Sequence, residues 1–256
     1  MGPDGPHTRK VGMMKGERTM HALSQIGAGV LAGALAIAAV LAGGPVPALA
    51  DDAQETRQLV DKARLTIESF TVDPNMEGFR SQVKRAKGVY IAPQVLRGAF
   101  VLGVSGGSGV FLVRDEKGGQ WNGPAFYTIG GASLGLQVGG DASEVVLLAM
   151  SQRGVTALLS TSAKLGADAG IAVGPVGLGA SAATANLSAD IIIYARAKGL
   201  YAGISLDGAV VATRDALNKA YYGRDVTPTD ILIRRAVANP QSAGLMEAIA
   251  KVAGGQ

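Results

Sequence analysis

From Gly88 to about residue 211 the chain consists of short apolar runs cut by glycine, and nothing else in it restricts the fold so strongly. The runs include YIAPQVLRGAFVLGVS, GVFLVR, AFYTIGGASLGLQVGG, SEVVLLAMS, LGADAGIAVG, VGLGASAA, ADIIIYARAKG and LYAGISLDGAVVA. Branched and aromatic residues in runs of this length, bounded by Gly, Pro, Asn and Asp, are strand signals. Glycine inside the runs asks for tight bends and close packing in a strongly curved sheet. Residues 151–160, SQRGVTALLS, read as a short helix between strands.

Both flanks are helical. Over residues 52–71, Leu59, Ala63, Ile67 and Phe70 recur at helical spacing, and Asp73-Pro74 ends the run. A second helix is expected in NMEGFRSQVKRAK, residues 75–87, with Met76, Phe79, Val83 and Ala86 on one stripe. Its remaining surface carries Arg80, Lys84, Arg85 and Lys87. Towards the C-terminus, Thr213 is expected to cap RDALNKAYY, with Gly223 closing that helix. Thr227-Pro228-Thr229-Asp230 supplies a cap, a first-turn proline and an acid for a helix through ILIRRAVA, stopped by Asn239-Pro240. GLMEAIAKVA gives a last helix. Helices, then strands, then helices predict an α+β fold with a strongly curved, mainly antiparallel or barrel-like core.

The stretch GVSGGSGVFLVR, residues 103–114, holds enough glycine to suggest a phosphate loop. Such a loop needs to open a helix, so that free N–H groups and the helix dipole meet the phosphate, and it needs a Lys followed by Ser or Thr. A β-branched and aromatic strand follows here instead. Ser105-Gly106-Gly107-Ser108 is therefore expected to be a hairpin turn. GPVGLG at 174–179 fails as a phosphate loop for the same reasons.

The first fifty residues read as a secretory signal peptide: a basic start with Arg9, Lys10, Lys15 and Arg18, an uncharged run IGAGVLAGALAIAAVLAGG, and Ala48-Leu49-Ala50 before two aspartates. Cleavage after Ala50 would leave 51–256 as a single domain, exported to a periplasm or secreted, and soluble or peripherally membrane-bound. The domain keeps 20 of the 24 Lys and Arg and 18 of the 20 Asp and Glu, so little of its charge calls for nucleic acid. The chain has no cysteine, and both histidines, His7 and His21, sit in the leader. That removes thiolate and imidazole metal sites and the Ser-His-Asp arrangement from the domain, and no cofactor is expected.

Ser105 and Ser108 have no histidine partner, and SAK at 162–164 is one residue short of an S-x-x-K motif. Asp168 and Asp190 stand among apolar residues, which would raise their pKa values. A hydrolase would need both in one accessible cleft; one acid bonded to backbone or paired with arginine is the plainer expectation. The basic helix is the most functional-looking element. Cations beside an apolar stripe suit an anionic bilayer, and Arg97 could extend the patch. The competing reading is a core-packed helix with a solvated face.

The blocks KGVYIAPQVLRGAFVLGVSGGSGVFLVR, WNGPAFYTIGGASLGLQVGGDASEVVLLAM, LGADAGIAVGPVG, IIIYARAKGLYAGISLDGAVV and AYYG together resemble the SYLF-domain family over roughly residues 55–225. The resemblance implies a stand-alone, exported bacterial member of a family whose eukaryotic members bind phosphoinositides and in some cases actin. It implies no enzyme but a module for anionic phospholipid headgroups at a membrane surface. The contacts would be Arg80, Lys84, Arg85, Lys87 and Arg97, with Met76 and Phe79 as apolar contacts. Actin is not expected as a partner in that setting. The alternative is a periplasmic structural or protein-interaction module with no lipid ligand.

Overall fold

In the computed structural model, residues 48–99, 102–117, 119–134, 139–177, 189–197 and 206–254 are described. The leader expected over residues 1–50 lies outside these up to residue 47, and Ala48 to Ala50 are the first residues of a helix. That helix, α1 (Ala48–Val72), buries Leu59, Ala63, Ile67 and Phe70, the stripe its spacing predicts, and Val60 beside them. Asp73 then accepts from Asn75 N and opens a single 3-10 turn, Pro74–Met76. Helix α2 (Glu77–Val83) follows and is shorter than its charge pattern suggests, because the chain turns at Lys84-Arg85.

Eight strands follow: β1 (Gly88–Ala99), β2 (Leu102–Arg114), β3 (Trp121–Leu134), β4 (Gly139–Ala149), β5 (Ser162–Lys164), β6 (Ile171–Val173), β7 (Ile191–Ala197) and β8 (Val210–Thr213). They form one strongly curled half-barrel sheet in the order β5-β8-β3-β2-β1-β4-β7-β6. All the pairings are antiparallel except β6 with β7. Helix α3 (Gln152–Leu159), capped by Ser151, links β4 to β5. Helices α4 (Asp215–Tyr222), α5 (Pro228–Leu232) and α6 (Ala243–Gly254) close the chain. The α+β expectation holds.

Strand residues alternate between the two faces of a sheet, and here both faces are covered. On one face Val89, Ile91, Val110, Leu112, Phe126 and Tyr194 pack against α1, α2, α4 and α6. On the other, Tyr90, Phe111, Tyr127, Leu147 and Ile193 pack against α3, α5 and the segments around Leu165 and Leu206. Burial on both sides explains why the strands read as unbroken apolar runs. Helix α1 is also tied down by charge. Glu55 pairs with Arg214, which also donates to Ser108. Further along, Arg196 pairs with Glu144 and Asp73 and lies 4.8 Å from the centre of the Phe70 ring.

Three local expectations fail. Ser105-Gly106-Gly107-Ser108 is no hairpin turn; it runs through the middle of β2, paired with β1 on one side and β3 on the other. None of these glycines has positive φ. Close neighbours account for Gly107 and for Gly109 just beyond it: a Cβ on Gly109 would fall 2.5 Å from the Tyr90 hydroxyl, and one on Gly107 would fall 2.2 Å from the Gln94 carbonyl oxygen. Thr213 caps nothing, because it is the last residue of β8, and Arg214 precedes α4 without a side-chain cap. Helix α5 stops at Leu232 and does not continue through ILIRRAVA; Arg235 adopts φ 55. By contrast, Gly223 ends α4 with φ 72, and Thr227 and Asp230 form the reciprocal cap of α5.

Candidate functional site

The end of the sheet where β1 begins and β2 finishes collects the cations. Antiparallel pairing sets Gly88 opposite Val113, so the turn before β1 sits beside the hairpin that joins β2 to β3. Arg114 stitches the two together. Its main-chain N–H donates to Lys87 O at 2.8 Å, its Nη1 to Lys84 O at 2.9 Å and its Nε to Gly119 O at 3.4 Å. The hairpin closes through Asp115 N donating to Gln120 O, with Gly119 at φ 67. Lys87 Nζ lies 3.0 Å from Glu116, and Arg235 Nη2 lies 2.6 Å from Asp115.

Between these groups opens a cleft of about 240 Å³, lined by Lys87, Arg114, Lys117 and Arg235 with Asn122 and Gln152. Leu232 and Ile233 form its apolar wall, and Ile233 is 47% exposed. Lys84 and Arg85 are exposed on the adjoining turn. Six cations, Lys84, Arg85, Lys87, Arg114, Lys117 and Arg235, thus share one end of the sheet with two carboxylates, Asp115 and Glu116. The hydrogen bonds of the Arg114 guanidinium go to the Lys84 and Gly119 carbonyls, which are neutral acceptors. Chemically, the cleft offers fork-shaped and point-charge donors to an anion, with neutral amides beside them.

The residues expected from sequence are not all here. Lys84, Arg85 and Lys87 are. Arg80, on α2, turns its guanidinium inward to Thr71 O and Asp73 O, at 3.2 and 2.7 Å, and fastens the end of α1. Arg97 lies near the far end of β1, across from Ser105 and Asp141. Met76 and Phe79 have no exposed surface. Phe79 stacks edge-on between Phe70 and Tyr194, with ring centres 5.6 and 5.5 Å away. In this arrangement neither side chain is presented to a bilayer, and α2 is a core-packed helix. Arg114, Lys117 and Arg235 were missed. The charge-dense turn RDEKGG marks the first two, but only the strand register brings them to Lys84.

Both acids, Asp168 and Asp190, lie beside Arg153, whose Nε donates to the Asp168 main-chain carbonyl at 3.2 Å. Asp168 is exposed and accepts from its neighbour Lys164 N at 2.7 Å. Asp190 accepts from the Ser151 hydroxyl and from Gly170 N, and Arg153 lies 3.7 Å away. The Ser151 hydrogen bond foremost, with the Gly170 amide and Arg153, holds the Asp190 carboxyl below its ordinary pKa. The expected rise does not occur at Asp190; it plays the bonded, arginine-paired role. Among the described residues, no group of three or more His, Cys, Asp or Glu could hold a metal ion, and no helix is long and apolar enough to cross a membrane.

A family model described as Las17-binding protein actin regulator, Ysc84, matches residues 130–252. Protein YSC84 of Saccharomyces cerevisiae is 33% identical over 196 residues, covering 72% of this chain and 41% of that protein. The bovine SH3 domain-containing YSC84-like protein 1 is 31% identical over 169 residues, 65% of this chain and 49% of the relative. The human protein of the same name is 32% identical over 152 residues, 59% of this chain and 44% of the relative. The chain spans less than half the length of these relatives.

Proposed function

The chain belongs to the Ysc84, or SYLF-domain, family, and from that premise we propose that it is a non-catalytic module that binds anionic phospholipid headgroups with the cationic end of its sheet. The observation that carries this reading is the gathering of Lys84, Arg85, Lys87, Arg114, Lys117 and Arg235 at one end of the sheet, where the cleft that the last four line has Asp115 and Glu116 as its acids among the described residues. Each cation near an anionic surface contributes about 1 kcal/mol. Ile233 takes the shallow apolar contact that the buried Met76 and Phe79 do not offer. The module then docks without unfolding α2.

Co-sedimentation with phosphatidylglycerol vesicles tests it. Binding should be strong at low salt and should weaken as ionic strength shortens the screening length to about 8 Å. It should be absent for neutral phosphatidylcholine. The variant K84E/R85E/K117E should stay in the supernatant while unfolding at the temperature of the parent. A triple variant that still pellets with the vesicles, or equal pelleting with neutral vesicles, removes the cationic end from this role.

A second reading follows from the family description, which names an actin regulator. The same cations would suit an acidic protein surface. Filament co-sedimentation with the parent and the triple variant separates the two: loss of vesicle binding with filament binding retained assigns the cluster to lipid.

A further inference from the structure

At the other end of the same strands lies a surface with the opposite character. Leu96 sits eight residues along β1 from Gly88, about 26 Å at strand rise. On the face that carries α1, one row across the sheet reads Ala142, Leu96, Gly106, Gly130 and Val210, from β4 through β1, β2 and β3 to β8. The next row outward reads Gly140, Gly98, Val104 and Ala132. No side chain in either row is charged. Leu96 is 55% and Val104 62% exposed, and Val210 is also open to solvent.

The glycines of this floor differ from Gly107 and Gly109. A Cβ on Gly98 would meet nothing within 4 Å, and one on Gly106 would come no closer than 3.9 Å to any atom. Neither has positive φ. Among the described residues neither packing nor a positive φ calls for glycine at these two positions, and close approach by another molecule is, beside the curl of the sheet, a physical reason for a bare backbone in a strand. One wall of the floor is α1. Exposed Leu65 and Lys62 line a cleft of about 670 Å³ there, together with Pro93, Gln94 and Ala142.

We propose that this floor is a docking groove for an amphipathic α-helix of a partner protein, lying beside α1, with a small-residue apolar stripe downward and acidic residues on its flanks. Three observations choose that occupant. All five floor strands have a neighbouring strand on either side in the sheet, so none of them is an edge strand offered for strand addition. From β4 to β8 the floor spans four strand spacings, roughly 19 Å, which is the length of about 13 helical residues. Its bounding cations, Lys62 on α1 and Lys164 across from Val210, are exposed, and neither forms an ion pair among the described residues.

A displayed library of 14-residue peptides, selected on the whole chain, tests the proposal. Enriched peptides should show apolar residues at i, i+3, i+4 and i+7, with Gly or Ala among them and Asp or Glu beside them. Binding of the best synthetic peptide should fall at least tenfold in L96E, in the milder V104S and in G106L, and several-fold in K62E. K84E/R85E should bind it as the parent does, which keeps this result separate from the vesicle assay. The proposal is overturned if no peptide is enriched, if the enriched peptides lack helical periodicity, or if L96E binds them unchanged. It is also overturned if L96E abolishes pelleting with phosphatidylglycerol vesicles, which would make the floor a bilayer contact.

Discussion

Arg114 Nη1 donates to the carbonyl of Lys84 at 2.9 Å, so the last residue of β2 braces the turn on which Lys84 and Arg85 stand. Arginine can do this because its fork reaches Gly119 O as well; lysine carries the same charge but cannot span both acceptors. Arg114→Lys should therefore weaken binding to phosphatidylglycerol vesicles by roughly 1 kcal/mol, about fivefold, at nearly constant thermal stability. Vesicle titration of the two proteins reads the difference. Equal affinities would show that charge alone matters at this position.

Two glycine-to-alanine changes should behave in opposite ways. At Gly109 the added methyl runs into the Tyr90 ring and the Ile91 carbonyl, at 2.5 and 2.7 Å. Overpacking of that kind costs about 1–3 kcal/mol. At Gly98 the methyl enters open space, and the change should stay within about 0.5 kcal/mol. Urea midpoints at a common slope compare the two directly.

That contrast marks the limit of what could be read from the residues alone. The stripe of α1, the reciprocal cap at Thr227 and Asp230, and Gly223 at the end of α4 depend on neighbours within one turn, and each was legible. Ser105 to Ser108 was not. A glycine run suits either a turn or a strand crowded by its partners, and the choice lies with Gln94 and Tyr90, which meet β2 only through sheet register. The candidate site divides in the same way. Lys84, Arg85 and Lys87 are contiguous and were visible as charge. Arg114, Lys117 and Arg235 join them through a hairpin and through a helix that ends early. Met76 and Phe79 show helical periodicity, but periodicity does not say whether a stripe faces lipid or core.

Phe79→Ala should destabilise the domain by about 3–5 kcal/mol, as for other large-to-small changes at fully buried aromatics. The ring fills the space between Phe70 and Tyr194. Chemical denaturation checks the loss. Whatever part of the variant stays folded should bind phosphatidylglycerol vesicles with the affinity of the parent, since the ring does not face the surface.

Acid should loosen the start of α5. Hydrogen bonds from the Thr227 hydroxyl and amide, then from Arg234, bring the Asp230 pKa down to about 2. The unfolded chain titrates near 3.9. A depressed folded value means the contribution is complete above about pH 4 and fades as pH falls towards 2. Asp230→Asn should remove this part of the pH dependence. Melting temperatures at pH 5 and pH 2.5 should therefore differ less in the variant than in the parent.

The order of strands across the sheet has one more result. Its central members, β1 and β2, come early in the chain, while both outer flanks come late: β4, β7 and β6 on one side, β8 and β5 on the other. The segment that matches the family model begins at Gly130, inside β3. A polypeptide started there would own two wings with no keel between them, so the 42 residues from Gly88 to Ile129 are as much a part of the domain as the stretch by which its kinship is recognised.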